Sequence, residues 1–103
     1  MVKDIEHITA EIKDFYQSVA SSYPIKAVFL YGSWAENRAH EDSDIDIGII
    51  VDDKSIRQAH FDLYSKGKDW DIDFDVLVFP ERDFLSEDPP VIHEMKTKGI
   101  RIV

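Results

Sequence analysis

Asp44 and Asp46 stand inside SDIDIGIIV, a run that otherwise reads as the middle of a buried β-strand. Carboxylates are depleted in strands and costly to bury without a partner, so folding alone does not account for them. In a strand, residues two apart share a face, with alpha carbons about 6.6–7 Å apart. Asp44 and Asp46 therefore project together while Ile45 and Ile47 face away. A later run, DWDIDFDVLVF, repeats the device: Asp71, Asp73 and Asp75 share one face, and Ile72, Phe74 and Val76 the other. Pairing of the two strands would bring three or more carboxylates onto one patch. Unit charges about 5 Å apart repel by about 3 kcal/mol at an effective dielectric of 20. A divalent cation reverses that sign, since hard oxygen ligands suit magnesium. Two magnesium ions ~3.5–4 Å apart clamp the oxygens of an in-line phosphoryl transfer. Asp75 lies directly before VLVF, much as Asp46 lies before IGIIV, and is the favoured third ligand with Asp73 in reserve. Asp69 and Asp71 read as solvated acids at the strand start.

Gly32 and Ser33 supply the complementary half, about a dozen residues earlier. A glycine at a strand end lets backbone amides approach a ligand closely. A serine opening a helical turn sets its hydroxyl beside unsatisfied N–H groups, which suits phosphate. Alone, Gly-Ser is a common turn; joined to Asp-x-Asp, it sets anionic phosphate beside metal-binding acids. A calcium-loop reading of Asp42, Asp44 and Asp46 fails. Its sixth position needs a glycine and its twelfth is normally glutamate, whereas the chain has Ile47 and Asp53. The four histidines show no zinc spacing. His60 reads as a core residue, and His40 as a loop residue with a lesser claim to touch nucleotide or acceptor. Trp34 reads equally as a platform for a base or partner and as packing against the first strand. Tyr31 is expected to pack beneath the phosphate loop.

These side chains need elements to hold them. Ile5, Ile8, Ile12, Phe15, Tyr16 and Val19 recur at helical spacing, and SSYP ends that helix because the residue before proline avoids the helical region. IKAVFLY is a short apolar strand stopping at Gly32-Ser33, and SWAENRAHED a helical turn and loop. DIDIGIIV is the second strand. A second helix begins near a cap at Asp53 or Ser55, with Ile56, Ala59, His60, Leu63 and Tyr64 on one face. DIDFDVLVF is the third strand, DPPVIHEMKTKG a closing helix with prolines at its start and Gly99 past its end, and IRIV a further edge strand. The order helix, strand, strand, helix, strand, helix predicts an α/β (α+β) fold, a small mixed sheet with helices packed on it. With 103 residues and no internal linker, a single domain over 1–103 is expected.

The net charge of −9 repels phosphate backbones, so direct binding to long nucleic acids is not expected. It favours a basic partner or cations instead. No apolar run reaches the ~18 residues of a membrane span, the charged start MVKDIEHITAEIKDF is unlike a signal peptide, and there is no cysteine. The cytoplasm is the expected compartment.

Gly32-Ser33, then Ala35 and Ala39, then SDIDI and a later FDVLV together resemble the DNA polymerase β-like nucleotidyltransferase superfamily, most closely its minimal nucleotidyltransferase branch. The resemblance covers most of the chain, because PVIHEMKTKGIRIV is similar to that branch's terminal helix and strand. It implies that Gly32 and Ser33 bind the β- and γ-phosphates of ATP or another triphosphate. Asp44 and Asp46 would ligate two magnesium ions, and Asp75 would complete the metal site and help deprotonate an acceptor hydroxyl. That hydroxyl would take up AMP and release pyrophosphate. The resemblance also implies a small helical HEPN-type partner, an RNase toxin that some members silence by adenylylating a tyrosine. Many relatives carry basic residues and a glycine after Gly-Ser, where this chain has Trp34, Glu36 and Asn37. A nucleotide-binding or partner-neutralising module with little catalysis is therefore the alternative. About two dozen residues follow FDVLVF, too few for an acceptor-binding domain, so a partner or second copy, in a homo- or hetero-oligomer, is expected to supply that surface.

Overall fold

The computed structural model describes residues 4–103. Helix α1 (Ile5–Val19) opens at Asp4, whose carboxylate accepts the His7 amide at 2.8 Å and so satisfies one orphan donor of the first turn. Ile8, Ile12, Phe15 and Val19 form its buried stripe, while Ile5 is left exposed. Strand β1 (Ile25–Tyr31) follows, then β2 (Ile45–Val51), a 3-10 turn at Asp53–Ser55, and α2 (Ile56–Lys68). Strand β3 (Phe74–Pro80), the short helix α3 (Glu81–Ser86), α4 (Val91–Lys98) and β4 (Ile100–Arg101) complete the chain.

The sheet order is β3-β2-β1-β4. β1 pairs antiparallel with β2 and β4, whereas β2 and β3 run parallel, which requires the crossover that α2 provides. Both faces of the sheet are covered. On one, α1 and α2 bury Val28, Leu30, Ile45, Ile47, Ile49, Val51, Phe74, Val76 and Val78. On the other, α3 and α4 cover Ala27, Phe29, Tyr31 and Ile50, with Ile92 and Met95 buried at the contact. The mixed sheet and packed helices match the expected fold class.

Details differ from the expectations above: β2 begins at Ile45, so Asp44 lies just before the strand, and β4 covers only Ile100–Arg101 of IRIV. β3 begins at Phe74, not Asp71, so the acids before it lie in the approach to the strand. Helix α3 is an addition to the expected elements. Its first turn is capped from a distance, the Arg82 amide donating to Asp53 Oδ1 at 2.9 Å. His60 is not a core residue: α2 buries Ala59, Leu63 and Gly67, a line of every fourth residue. His60 lies one step off that line and is exposed, as is Tyr64.

Candidate active site

After Tyr31 the chain reverses at Gly32, whose φ of +76° lies in the left-handed region, where a side chain is strained. The Glu36 amide donates to Gly32 O at 3.1 Å and the Arg38 amide to Ser33 O at 2.9 Å. Asn37, with φ +57°, closes the turn, in the conformation asparagine tolerates best after glycine. Among the described residues, the amides of Ser33, Trp34 and Ala35 have no backbone carbonyl partner. Consecutive free amides of this kind form an anion-binding concavity.

The loop is pinned to the segment that leads into β2. Trp34 packs against the core on the α1/α2 side, and its indole N–H donates to Ser43 O at 3.2 Å. Ser43 also closes a reciprocal turn with His40: its amide donates to His40 O and its hydroxyl accepts the His40 amide, each at 2.9 Å. The His40 ring accepts the Asp42 amide at 3.3 Å. The residue after this latch is Asp44, exposed at the mouth of β2. Of the two readings for Trp34, packing is what the structure shows. Arg38 pairs with Glu36 at 3.3 Å, so its charge is partly neutralised within the loop.

Asp46, half-buried on β2, is the register partner of Asp75 across the parallel ladder and of Tyr31 across the antiparallel one. All three project from the face that carries α3 and α4. Burial pushes the Asp46 carboxyl up to about 6 from its ordinary 3.8, and the charges of Asp75, Asp44 and Glu94 push the same way. Lys68 acts in the opposite direction. The Tyr31 phenol is also raised, by burial and then by Asp46, Asp75 and Glu94. Glu94, in the first turn of α4, is thus a fourth acid in the field that sequence reasoning missed. What places it is the fit of α4 on the sheet: a Cβ at Gly48, two residues past Asp46, would collide with the Met95 sulfur. Asp73 is drawn aside toward Lys68 at 3.7 Å, and Asp69 and Asp71 are exposed.

Gly32 links the two halves. A Cβ there would stand 2.5 Å from Asp46 Oδ2, so the phosphate-type loop and the acid pair abut through a hydrogen atom.

Among the described residues, no three acidic or histidine side chains are gathered into a ready-made cation cage. The residues fit magnesium in kind: Asp46 and Asp75 offer hard oxygens from paired positions on two strands, and Asp44 lies just before the first of them.

A family model described as polymerase beta, nucleotidyltransferase, matches residues 11–103. The chain belongs to the polymerase β nucleotidyltransferase family. Solved structures share this family fold. A toxin–antitoxin with AMP-PNP aligns with a TM-score of 0.66 at 22% identity, over 92% of this chain and 72% of that one. A mutant of the toxin–antitoxin MntA–HpeT gives 0.66 at 20% identity, over 92% and 72%. A protein from Sulfolobus solfataricus assigned as a nucleotidyltransferase gives 0.64 at 21% identity, over 92% and 78%. A comparison with curated protein sequences gives no match. Among the described residues, no helix is long and apolar enough to cross a membrane.

Proposed function

We propose that this family member is a magnesium-dependent nucleotidyltransferase that moves AMP from ATP to a hydroxyl of a partner protein, in a toxin–antitoxin setting in the cytoplasm. The observation that carries the reading is the pairing of Asp46 with Asp75 on parallel strands, directly against the Gly32 turn. The toxin–antitoxin names of the similar structures, one of them with AMP-PNP, support the nucleotide and the setting. The expected partner is a HEPN-type protein.

Asp44, Asp46 and Asp75 would hold a magnesium pair, which would neutralise the triphosphate and lower the charge cost at the α-phosphorus. The free amides after Gly32 and the Ser33 hydroxyl bind the β- and γ-phosphates and orient the leaving pyrophosphate. The acceptor oxygen attacks the α-phosphorus, the bond to the bridging oxygen of pyrophosphate breaks, and the acceptor proton passes to Asp75. Asp75 is preferred here to Asp73, whose carboxylate lies 3.7 Å from Lys68. The test is transfer of labelled AMP to the partner in the presence of magnesium. Asp46→Asn should abolish it, and full activity in that variant would remove the assignment.

The Arg38–Glu36 pair favours a second reading. With its cation occupied, the loop would bind nucleotide weakly and the protein would neutralise its partner by contact alone. Equal silencing of the partner after Asp44, Asp46 and Asp75 are all changed to asparagine would select it.

A further inference from the structure

Helix α2 turns a stripe outward that folding does not use. Arg57, Phe61, Tyr64 and Lys68 follow one another at i, i+4, i+7 and i+11, the spacing of one helix face. Phe61 is 77% exposed and Tyr64 43%, and Arg57 and Lys68 are exposed beside them. Lys68 stands over the Tyr64 ring at 5.7 Å. A phenylalanine this open at mid-helix gains nothing for stability, and aromatic residues with arginine are what interfaces concentrate.

The charge of this segment runs against the rest of the chain. Residues 54–68 hold Lys54, Arg57, Lys66 and Lys68 against Asp62, with Asp52 and Asp53 just before the segment and Asp69 just after it, in a protein of net charge −9. Asp62 is already engaged, accepting from the Tyr23 hydroxyl at 2.6 Å and from Lys66 at 3.1 Å. The stripe is therefore a basic and aromatic island, about 16 Å long at the helical rise. Its C-terminal end leads toward the acids: Lys68 contacts Asp73 at 3.7 Å, two residues before Asp75.

We propose that the outer face of α2 docks a partner protein through a helix that offers aliphatic anchors between acidic side chains. Leucine-type anchors would cover Phe61 and Tyr64, and carboxylates would meet Arg57 and Lys54. A second copy of this chain fits poorly through the same face, since an antiparallel α2–α2 contact sets Arg57 against Lys68 of the other copy. RNA is disfavoured because a few cations do not offset the charge of the whole surface. The inference extends the reading of the site as one that modifies a protein, by saying where that protein is held.

The probe is a short helical peptide with leucines at i, i+4 and i+7 between glutamates, titrated into the full chain and followed by amide NMR shifts. Saturable binding is expected, with shifts confined to α2, weaker at high salt, and about tenfold or more weaker in Phe61→Ser and in Arg57→Glu. Because both side chains are exposed, the variants should melt like the parent, which separates lost docking from lost folding. Asp46→Asn should bind the peptide normally while failing to transfer AMP, so failure of the docking and failure of the chemistry read out separately. Absence of binding, equal binding of a lysine-for-glutamate control, or shifts elsewhere on the protein would overturn the proposal. So would polyuridylate moving the same resonances more strongly, or self-association that Phe61→Ser abolishes.

Discussion

Asp46 stands directly opposite Asp75 across the parallel β2–β3 ladder, with Tyr31 opposite it on the other side. Cross-strand neighbours are the closest contacts a sheet offers, and like charges placed there oppose folding. The pKa of the Asp46 carboxyl is raised first by its burial and then by the charge of Asp75. The fold tolerates the pair at some cost to the stability of the metal-free protein.

Asp46→Asn should therefore stabilise the metal-free chain. Asparagine keeps the shape and removes the charge. The gain is about 1–2 kcal/mol after discounting for solvent screening, which for a domain this size is several degrees in Tm. Calorimetry would show the rise, and the same variant should lose AMP transfer and any magnesium-dependent increase in Tm.

The pH dependence carries a definite sign. Asp46 titrates near 6 in the folded protein against 3.8 when unfolded. Between those values the folded state holds a proton the unfolded state has released, so stability from this residue is present at low pH and declines as pH rises through the window. Magnesium binds the ionised form. The increase in Tm on adding magnesium should thus be small near pH 4 and grow to its full value above about pH 6. Glu94→Gln, by removing one of the charges that raise Asp46, should move that growth to lower pH.

Gly32→Ala meets two obstacles at once, a φ of +76° and a Cβ 2.5 Å from Asp46 Oδ2. A left-handed alanine alone costs roughly 1–2 kcal/mol. Denaturant titration should show at least that loss, and binding of ATP with magnesium should weaken further, because the displaced atoms belong to both halves of the site.

Trp34→Phe retains most of the packing but removes the donor to Ser43 O. An unmade hydrogen bond of this kind costs about 1 kcal/mol. The latch that leads into Asp44 loosens, so magnesium affinity, read by titration calorimetry, should fall more than the melting temperature alone suggests.

Much of this is legible in the chain. The apolar run IKAVFLY coincides with β1, and the strand expected over DIDIGIIV begins one residue later, at Ile45, because near-continuous apolar runs suit strands buried on both faces. Asn37, as a residue that tolerates the left-handed region, has φ +57°. What escapes the sequence depends on distant contacts. Helix α3 spans six residues, too few for a period, and its cap comes from Asp53, 29 positions away. His60 falls off the expected face because a helix of mixed composition leaves the buried line ambiguous until Gly67 meets β3. Glu94 carries no signal at all, since only the seating of Met95 over Gly48 brings α4 to the acids.

The third strand aligns Asp75 with Asp46 and Phe74 with Ile45. Because neighbouring side chains in a strand point to opposite sides, a slip of one residue would turn Asp75 in among the isoleucines and set an apolar side chain beside Asp46. A molecule threaded one notch out is thus mute in chemistry as well as ill-packed. If the proposed transfer runs through Asp75, turnover would report that the last long strand has gone in correctly.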